Sequence, residues 1–476
     1  MLNYLDYAII IFYLCVVLLV GLWSGKGMKS LQEFSVSHRS YTSFVIFATL
    51  SASFIGGGFS IGNAEKVFRL GIANIVVLWG FSLKEILVAR FIAPKMDNFP
   101  NVISAGDIME LGYGKPAKVI TGFFSIFLCA GIVGAQVGAM GLICKEFVGI
   151  EPIWGILIGC GIVIAYSTIG GMRAVVLTDV IQFCVLAIGL PTALIFGIVK
   201  LGGFSAIREA VPANHFSVPA DTMTIGAFLS LFLTFLLGET LVPPYVQRLL
   251  IGKDAVHTAR GTMLSGIFSV PFFVITGSIG LIALAMDSTI NPNQAMPFVI
   301  RTVLPAGVRG VVIAGVISIV MSSADSFLNG AATACINDIV KPLRKNPLPE
   351  RHELLLAKLT NCFVGILAVI FAIKISSILD ILIYAYNFWA PVILVPLAAV
   401  FLGVRVTRAG FFSGTIAGAA GVLIWNGFLK SPMGVSGLVT GVFCNLFAFA
   451  LINKIFAKDN DNEDFGGVTN NGEIPM

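Results

Sequence analysis

Within an otherwise apolar segment, polar side chains recur at a regular interval. In and just after "VMSSADSFLNG" (Val320 to Gly330), Ser322, Ser326, Asn329 and Thr333 fall at i, i+4, i+7 and i+11, the spacing of one helix face. Asp325 stands one residue beside that line, and Ser323 lies about 100° round the helix. The carboxylate is the chemical problem, because a charge at the centre of a bilayer costs about 2.5–3.5 kcal/mol on insertion scales and needs a partner. Hydroxyl oxygens with one carboxylate suit a hard cation that takes oxygen ligands, and the carboxylates are too few for a divalent ion. Na+ is the natural candidate. The serines by themselves would serve equally well as interhelical hydrogen-bonding groups.

Two more acidic groups fall in apolar surroundings. In "AYSTIGGMRAVVLTDVIQF", Gly170-Gly171 mark a tight turn at the cytoplasmic face, with Arg173 holding it there. Thr178, Asp179 and Gln182 then share one side of the following helix. Asp179 is thus a second intramembrane carboxylate, unless its position about two turns in lets cytoplasmic water reach it. Glu239, in "LGETLVPPYVQR", stands just before a Pro-Pro pair. An acid there suits an amine or ammonium group on a solute, or it pairs with Lys84 of "WGFSLKEILVAR". The aromatics Phe54, Phe59, Trp79, Tyr384 and Trp389 are candidates for lining a pocket, although each taken singly reads equally as packing.

The elements that must carry these groups are membrane helices. The chain has 476 residues, 57% hydrophobic and only 12% charged, about half the charged fraction of a soluble domain. The net charge of +5 comes without a basic cluster, so nucleic acid is not implied. Eight cysteines lie singly in or beside apolar runs and read as free thiols. The four histidines are far apart, which argues against zinc. Apolar segments long enough to cross about 30 Å of hydrocarbon fall near 4–23, 41–65, 71–94, 117–144, 152–169, 174–198, 225–250, 259–286, 309–338, 354–375, 378–403, 409–428 and 433–457, about thirteen in all. The first has no basic residues before it and reads as a retained helix, not a cleaved signal. Lys and Arg concentrate in "GKGMKSLQEFSVSHRS", "APKMDNFP", "RLLIGKDAVHTARG", "KPLRKNPLPERHELLLAK" and "GVRVTR". These loops are cytoplasmic if the N-terminus is outside and the C-terminus inside. The expected setting is a bacterial inner membrane, with a polar, disordered cytoplasmic tail over 458–476.

Two spans carry backbone breakers at mid-depth: the second at Gly56, Gly57 and Gly58, and the seventh at Pro243 and Pro244. Freed backbone inside a bilayer must face protein or a wet cavity. A pair of interrupted spans five helices apart points to a transporter built from inverted repeats, with its binding site between the breaks.

At this point the motifs resemble a known family. "AYSTIGGMRAVVLTDVIQ", "QRLLIGKDAVHTARG" and "VMSSADS…NDIVKP" are similar to the signatures of the sodium:solute symporters, and "FIGGGFSIGNAEKVF" looks most like the choline-transporter branch. The resemblance implies an all-α polytopic membrane protein with a leucine-transporter-like core of two inverted five-helix repeats. It divides the chain into an extra helix and loop (1–40), a first repeat (41–200), a second repeat (201–403), two further helices (404–457) and the tail. It also implies a sodium site made by the carbonyls of Ala52, Ile55 and Ile319 with the hydroxyls of Ser322 and Ser323. A second sodium would take Asp179, Ser322 and Ser326; at Asp325 the similar members carry serine, and the added carboxylate would strengthen that site. Val242 and Phe59 replace residues used by the choline and galactose branches. A small amine, quaternary ammonium or zwitterion, with Glu239 as its partner, is the leading solute.

The expected activity is therefore Na+-coupled solute symport by alternating access. A proton-coupled carrier using Asp179 or Asp325, and a sensor derived from a transporter, are the alternatives. No nucleophile–base–acid constellation points to an enzyme.

Overall fold

The computed structural model describes residues 2–219, 223–374, 385–387 and 389–456. Among these the chain is helical almost throughout, and the sole β-type pairing is a single bridge between Tyr41 and Gly252. The helices are α1 (Tyr4–Ser24), α2 (Leu31–Val36), α3 (Ser43–Phe54), α4 (Gly57–Leu70), α5 (Ala73–Phe91), α6 (Ala105–Tyr113), α7 (Lys115–Ile143), α8 (Pro152–Leu201) and α9 (Phe204–Ala210). There follow α10 (Ile225–Leu237), α11 (Pro243–Leu250), α12 (Ala255–Met286), α13 (Ala295–Val303), α14 (Val308–Thr333), α15 (Glu350–Lys374), α16 (Val395–Leu402), α17 (Arg408–Leu423) and α18 (Gly437–Phe456).

Nine described helices are long and apolar enough to cross a membrane, or ten if α3 and α4, bent by 55°, count as one span. The sequence expectation of about thirteen differs for local reasons. The 50-residue α8 contains two of the expected spans, folded at Gly171, where φ is 51° and ψ −149°. That conformation favours glycine, and a Cβ there would come within 2.8 Å of the Phe34 ring. α5 carries Lys84, Glu85 and Arg90, which lower its apolarity, and α10 and α11 are each short.

Polar groups at the helix starts show why the elements begin where they do. Ser30, Ser104, Thr224, Asp254 and Thr407 each accept a backbone N–H from the first turn of the helix they precede. α14 runs through the centre, nearly every side chain buried, packed against α8, α7, α3 and α1. α12 packs against α5, α4 and α3, and α17 and α18 pair with each other at the edge. All eight cysteines are free; Cys129 and Cys160 are buried, while Cys15 and Cys184 are exposed on the outer surface.

Candidate functional site

Both interrupted spans break their helical hydrogen-bond ladder, one after Phe54 and the other after Leu237. α3 stops at Phe54, and Ile55 (φ −88°, ψ 60°) leaves the helix, which opens the Ser53 carbonyl to a side-chain donor from another helix. Gly56 starts the next helix because nothing larger fits: a Cβ would lie 2.8 Å from Ser323 Oγ and 3.2 Å from Gln136 Nε2. The second break spans Gly238–Val242, with Leu241 at φ 54°. Gly57, Gly58, Pro243 and Pro244 all lie in the first turns of α4 and α11. The prolines thus restart a helix where no N–H is needed, and the interruption itself lies before them.

The stripe on α14 is entirely buried and divides into two halves. Lower down, Asn329 donates to Phe34 O at 3.0 Å, and Gln247 Nε2 donates to Asn329 Oδ1 and Thr333 Oγ1 at 3.1 and 3.0 Å. This half fixes α14 to α2 and α11. Higher up, Ser323 Oγ donates to Ser53 O at 2.8 Å and to Ile319 O at 3.2 Å. Ser322 donates to Asp179 Oδ1 and lies 3.2 Å from Ser53 Oγ. The end of α3 therefore meets the middle of α14, where the resemblance puts a sodium ion. The oxygen-only donor set of hydroxyls and helix-end carbonyls fits a hard monovalent cation. Ser53, absent from the sequence reading, is the residue that joins the two elements.

The largest addition is Arg248. Its stretch "RLLIGKDAVHTARG" reads as a cytoplasmic loop, yet the guanidinium is completely buried. Nη2 lies 3.2 Å from Asp179 Oδ2, donates to Ser53 Oγ at 2.9 Å and also bonds Ser326; Nε donates to Thr49 Oγ1 at 3.2 Å. Asp179 accepts from Thr49, Ser53 and Ser322 as well. A buried carboxylate with this many donors and a guanidinium is compensated. Asp325 turns toward α8 instead, accepting from Tyr166 Oη at 2.5 Å and Ser326 Oγ at 3.0 Å. Asp179, Ser322, Asp325 and Ser326 are thus one connected cluster.

Glu239 is buried within the second break, where its Oε1 accepts from Tyr386 while Oε2 has no hydrogen-bond partner. The expected alternative of a Lys84–Glu239 pair is corrected: Lys84 Nζ lies 2.8 Å from Glu85 Oε1, its own neighbour in sequence. The same ammonium lies over Phe81, Tyr245 and Phe54, 3.9, 4.5 and 5.5 Å from their ring centres, and Tyr245 donates to Glu85 Oε2 at 3.0 Å. Phe54 therefore faces this cage, and Trp389 donates to Thr240 O at 3.1 Å within the second break. Phe59 packs into a cluster of Phe81, Phe235 and Phe273, and Trp79 bonds Val270 O on α12 at 3.3 Å. Tyr384 lies outside the described residues.

The profile of the Sodium:solute symporter family matches residues 34–418. The chain belongs to the sodium:solute symporter family. Among curated relatives of this symporter, Sodium/proline symporter 2 of Staphylococcus saprophyticus is 25% identical over 96% of the chain and 94% of its own length. The human High affinity choline transporter 1 is 28% identical over 57% of the chain and 49% of its own length. Sodium-coupled monocarboxylate transporter 1 of Xenopus laevis is 25% identical over 43% of the chain, so the alignment spans only 33% of that relative. A solved structure of a Na+-coupled sialic acid symporter in a substrate-bound outward-open state superposes with a TM-score of 0.86 at 20% identity, covering 96% of this chain and 98% of that one. At that identity the likeness is one of fold, and the symporter has the leucine-transporter-like helical architecture.

Proposed function

We propose that the chain is a Na+-coupled symporter of a small organic solute carrying a protonated amine, amino acids and other zwitterions included. The observation that carries the solute class is Glu239, buried at the second helix break with one carboxylate oxygen free of hydrogen bonds. A ligand with N–H donors satisfies that oxygen; a quaternary ammonium has none to give. Aromatic cages are the usual hosts for quaternary ammonium groups, and here the Phe54–Phe81–Tyr245 cage already holds Lys84.

In this reading one Na+ is held by the carbonyls of Ala52, Ile55 and Ile319 with Ser322 and Ser323. A second uses Asp179, Ser322, Asp325 and Ser326. Bound Na+ supplies positive charge between the broken α3–α4 span and α14, which draws the two together. The two repeats run over 41–200 and 201–403, with the first helix before them and α17 and α18 after. The N-terminus faces outward, supported by the basic loops on the opposite side.

Purified protein in liposomes, offered labelled amines, amino acids, carboxylates and sugars under a Na+ or a proton gradient, tests this. Concentrative uptake of an amine or zwitterion should need the Na+ gradient. Uptake driven by protons alone, or confined to anions and sugars, would overturn it.

A further inference from the structure

We propose that the Arg248 guanidinium is a tethered cation that takes turns with Na+ at Asp179, so that release of the second ion and the inward seating of α11 are one event. Nη2 alone touches three oxygens of the cluster: Asp179 Oδ2 at 3.2 Å, Ser53 Oγ at 2.9 Å and Ser326 Oγ. A Na+ ion bound by Asp179 and Ser326 would stand where that nitrogen stands. The guanidinium cannot yield by losing its proton, so occupancy by one cation excludes the other.

The tether is built to move. Arg248 belongs to α11, eight residues long, and its one bond within that helix is Nη1 to Pro244 O at 3.0 Å. Ahead of α11 lies the Gly238–Val242 break. A rotation there, which breaks the Gln247 bonds to Asn329 and Thr333, carries the guanidinium out of the cluster and leaves Ser322, Asp325 and Ser326 in place on α14. With the arginine seated, Asp179 has a cation and needs no ion. With it withdrawn, Asp179 and Asp325 are linked through the Ser53 and Ser326 hydroxyls with no positive charge beside them, and a cation is drawn in.

This inference rests on the proposed Na+ coupling, but the experiment separates the two. Equilibrium binding of radioactive Na+ to purified protein is measured for wild type, Arg248→Met, Arg248→Lys and Arg248→Met with Asp179→Asn. In Arg248→Met an ion should bind at Na+ concentrations at least tenfold below those the wild type needs, and Asp179→Asn should remove it. Arg248→Lys, which keeps a charge in place, should not gain this tight ion. In wild type, Na+ should speed modification of Arg248 by phenylglyoxal, read by mass spectrometry, relative to K+ at equal ionic strength. This arm decides the matter if the variants do not fold. Unchanged Na+ binding in folded Arg248→Met, a tight ion in Arg248→Lys, or modification indifferent to Na+ would each overturn the proposal. Absence of any Na+ binding to wild type would instead overturn the coupling itself.

Discussion

Replacing Glu239 by Gln keeps the side-chain volume and leaves an amide oxygen for the Tyr386 hydroxyl, while removing the charge within the second break. The free oxygen is buried, so an ammonium bound there makes a charge-assisted hydrogen bond in a site that excludes bulk water. Such bonds contribute about 1.5–3 kcal/mol, and each 1.4 kcal/mol is about tenfold in affinity. Glu239→Gln should therefore weaken amine binding roughly 10–150-fold. Competition binding on detergent-solubilised protein at saturating Na+ measures this directly, with a Na+ titration alongside to show that ion affinity is preserved. Tyr386→Phe serves as a graded control: it removes a bond to the other oxygen and leaves the charge, so its effect should be smaller. An affinity for the transported amine equal to wild type in Glu239→Gln, or a tighter one, would refute the assignment. A solute that gains affinity would be anionic.

Other substitutions probe the ion sites and the break. Ser322→Ala and Ser323→Ala should each raise the Na+ concentration needed for half-maximal uptake, and unchanged values in both would remove the first sodium site. Gly56→Ala places a Cβ 2.8 Å from Ser323 Oγ and should have the same effect, whereas Gly161→Ala, with nothing within 4 Å, should behave as wild type; equal behaviour of the two would show that Gly56 does not hold Ser323. Asp325→Asn should lower the number of ions moved per solute, read from the reversal potential of solute flux against the Na+ gradient. One ion moving through 100 mV and down a tenfold gradient releases about 3.7 kcal/mol. Loss of one should thus cut the accumulation limit several-hundredfold, and an unchanged ratio would leave Asp325 a packing residue.

What the sequence made legible follows from which forces are local. Apolar length places the spans, and glycine or proline at mid-depth marks the two interrupted ones, because those signals act within a few residues. Asp179, Asp325 and Glu239 stood out because charge in hydrocarbon is costly wherever it falls. Arg248 did not stand out, since an arginine near the end of an apolar run is also what a cytoplasmic boundary looks like. Only the approach of α3, α8 and α14 turns it inward. Lys84 misled for a related reason: two opposite charges, Lys84 and Glu85, adjacent on a helix point about 100° apart by default, yet the aromatic cage draws the ammonium back onto its neighbour.

The bridge between Tyr41 and Gly252 has a mechanical consequence. Tyr41 N–H bonds Ile251 O at 3.2 Å and Lys253 N–H bonds Tyr41 O at 3.1 Å, fastening the foot of α3 to the far end of α11. A pivot of either helix at its own break would carry the other with it, because the fastening makes them a single paddle with one shared degree of freedom. α3, at about 1.5 Å per residue, is an arm of roughly 18 Å, so a turn of about 10° at Ile55 sweeps its foot through roughly 3 Å and carries the end of α11 with it. Torque applied at either pivot is thus delivered to both, and neither arm can swing by itself while those two backbone bonds hold.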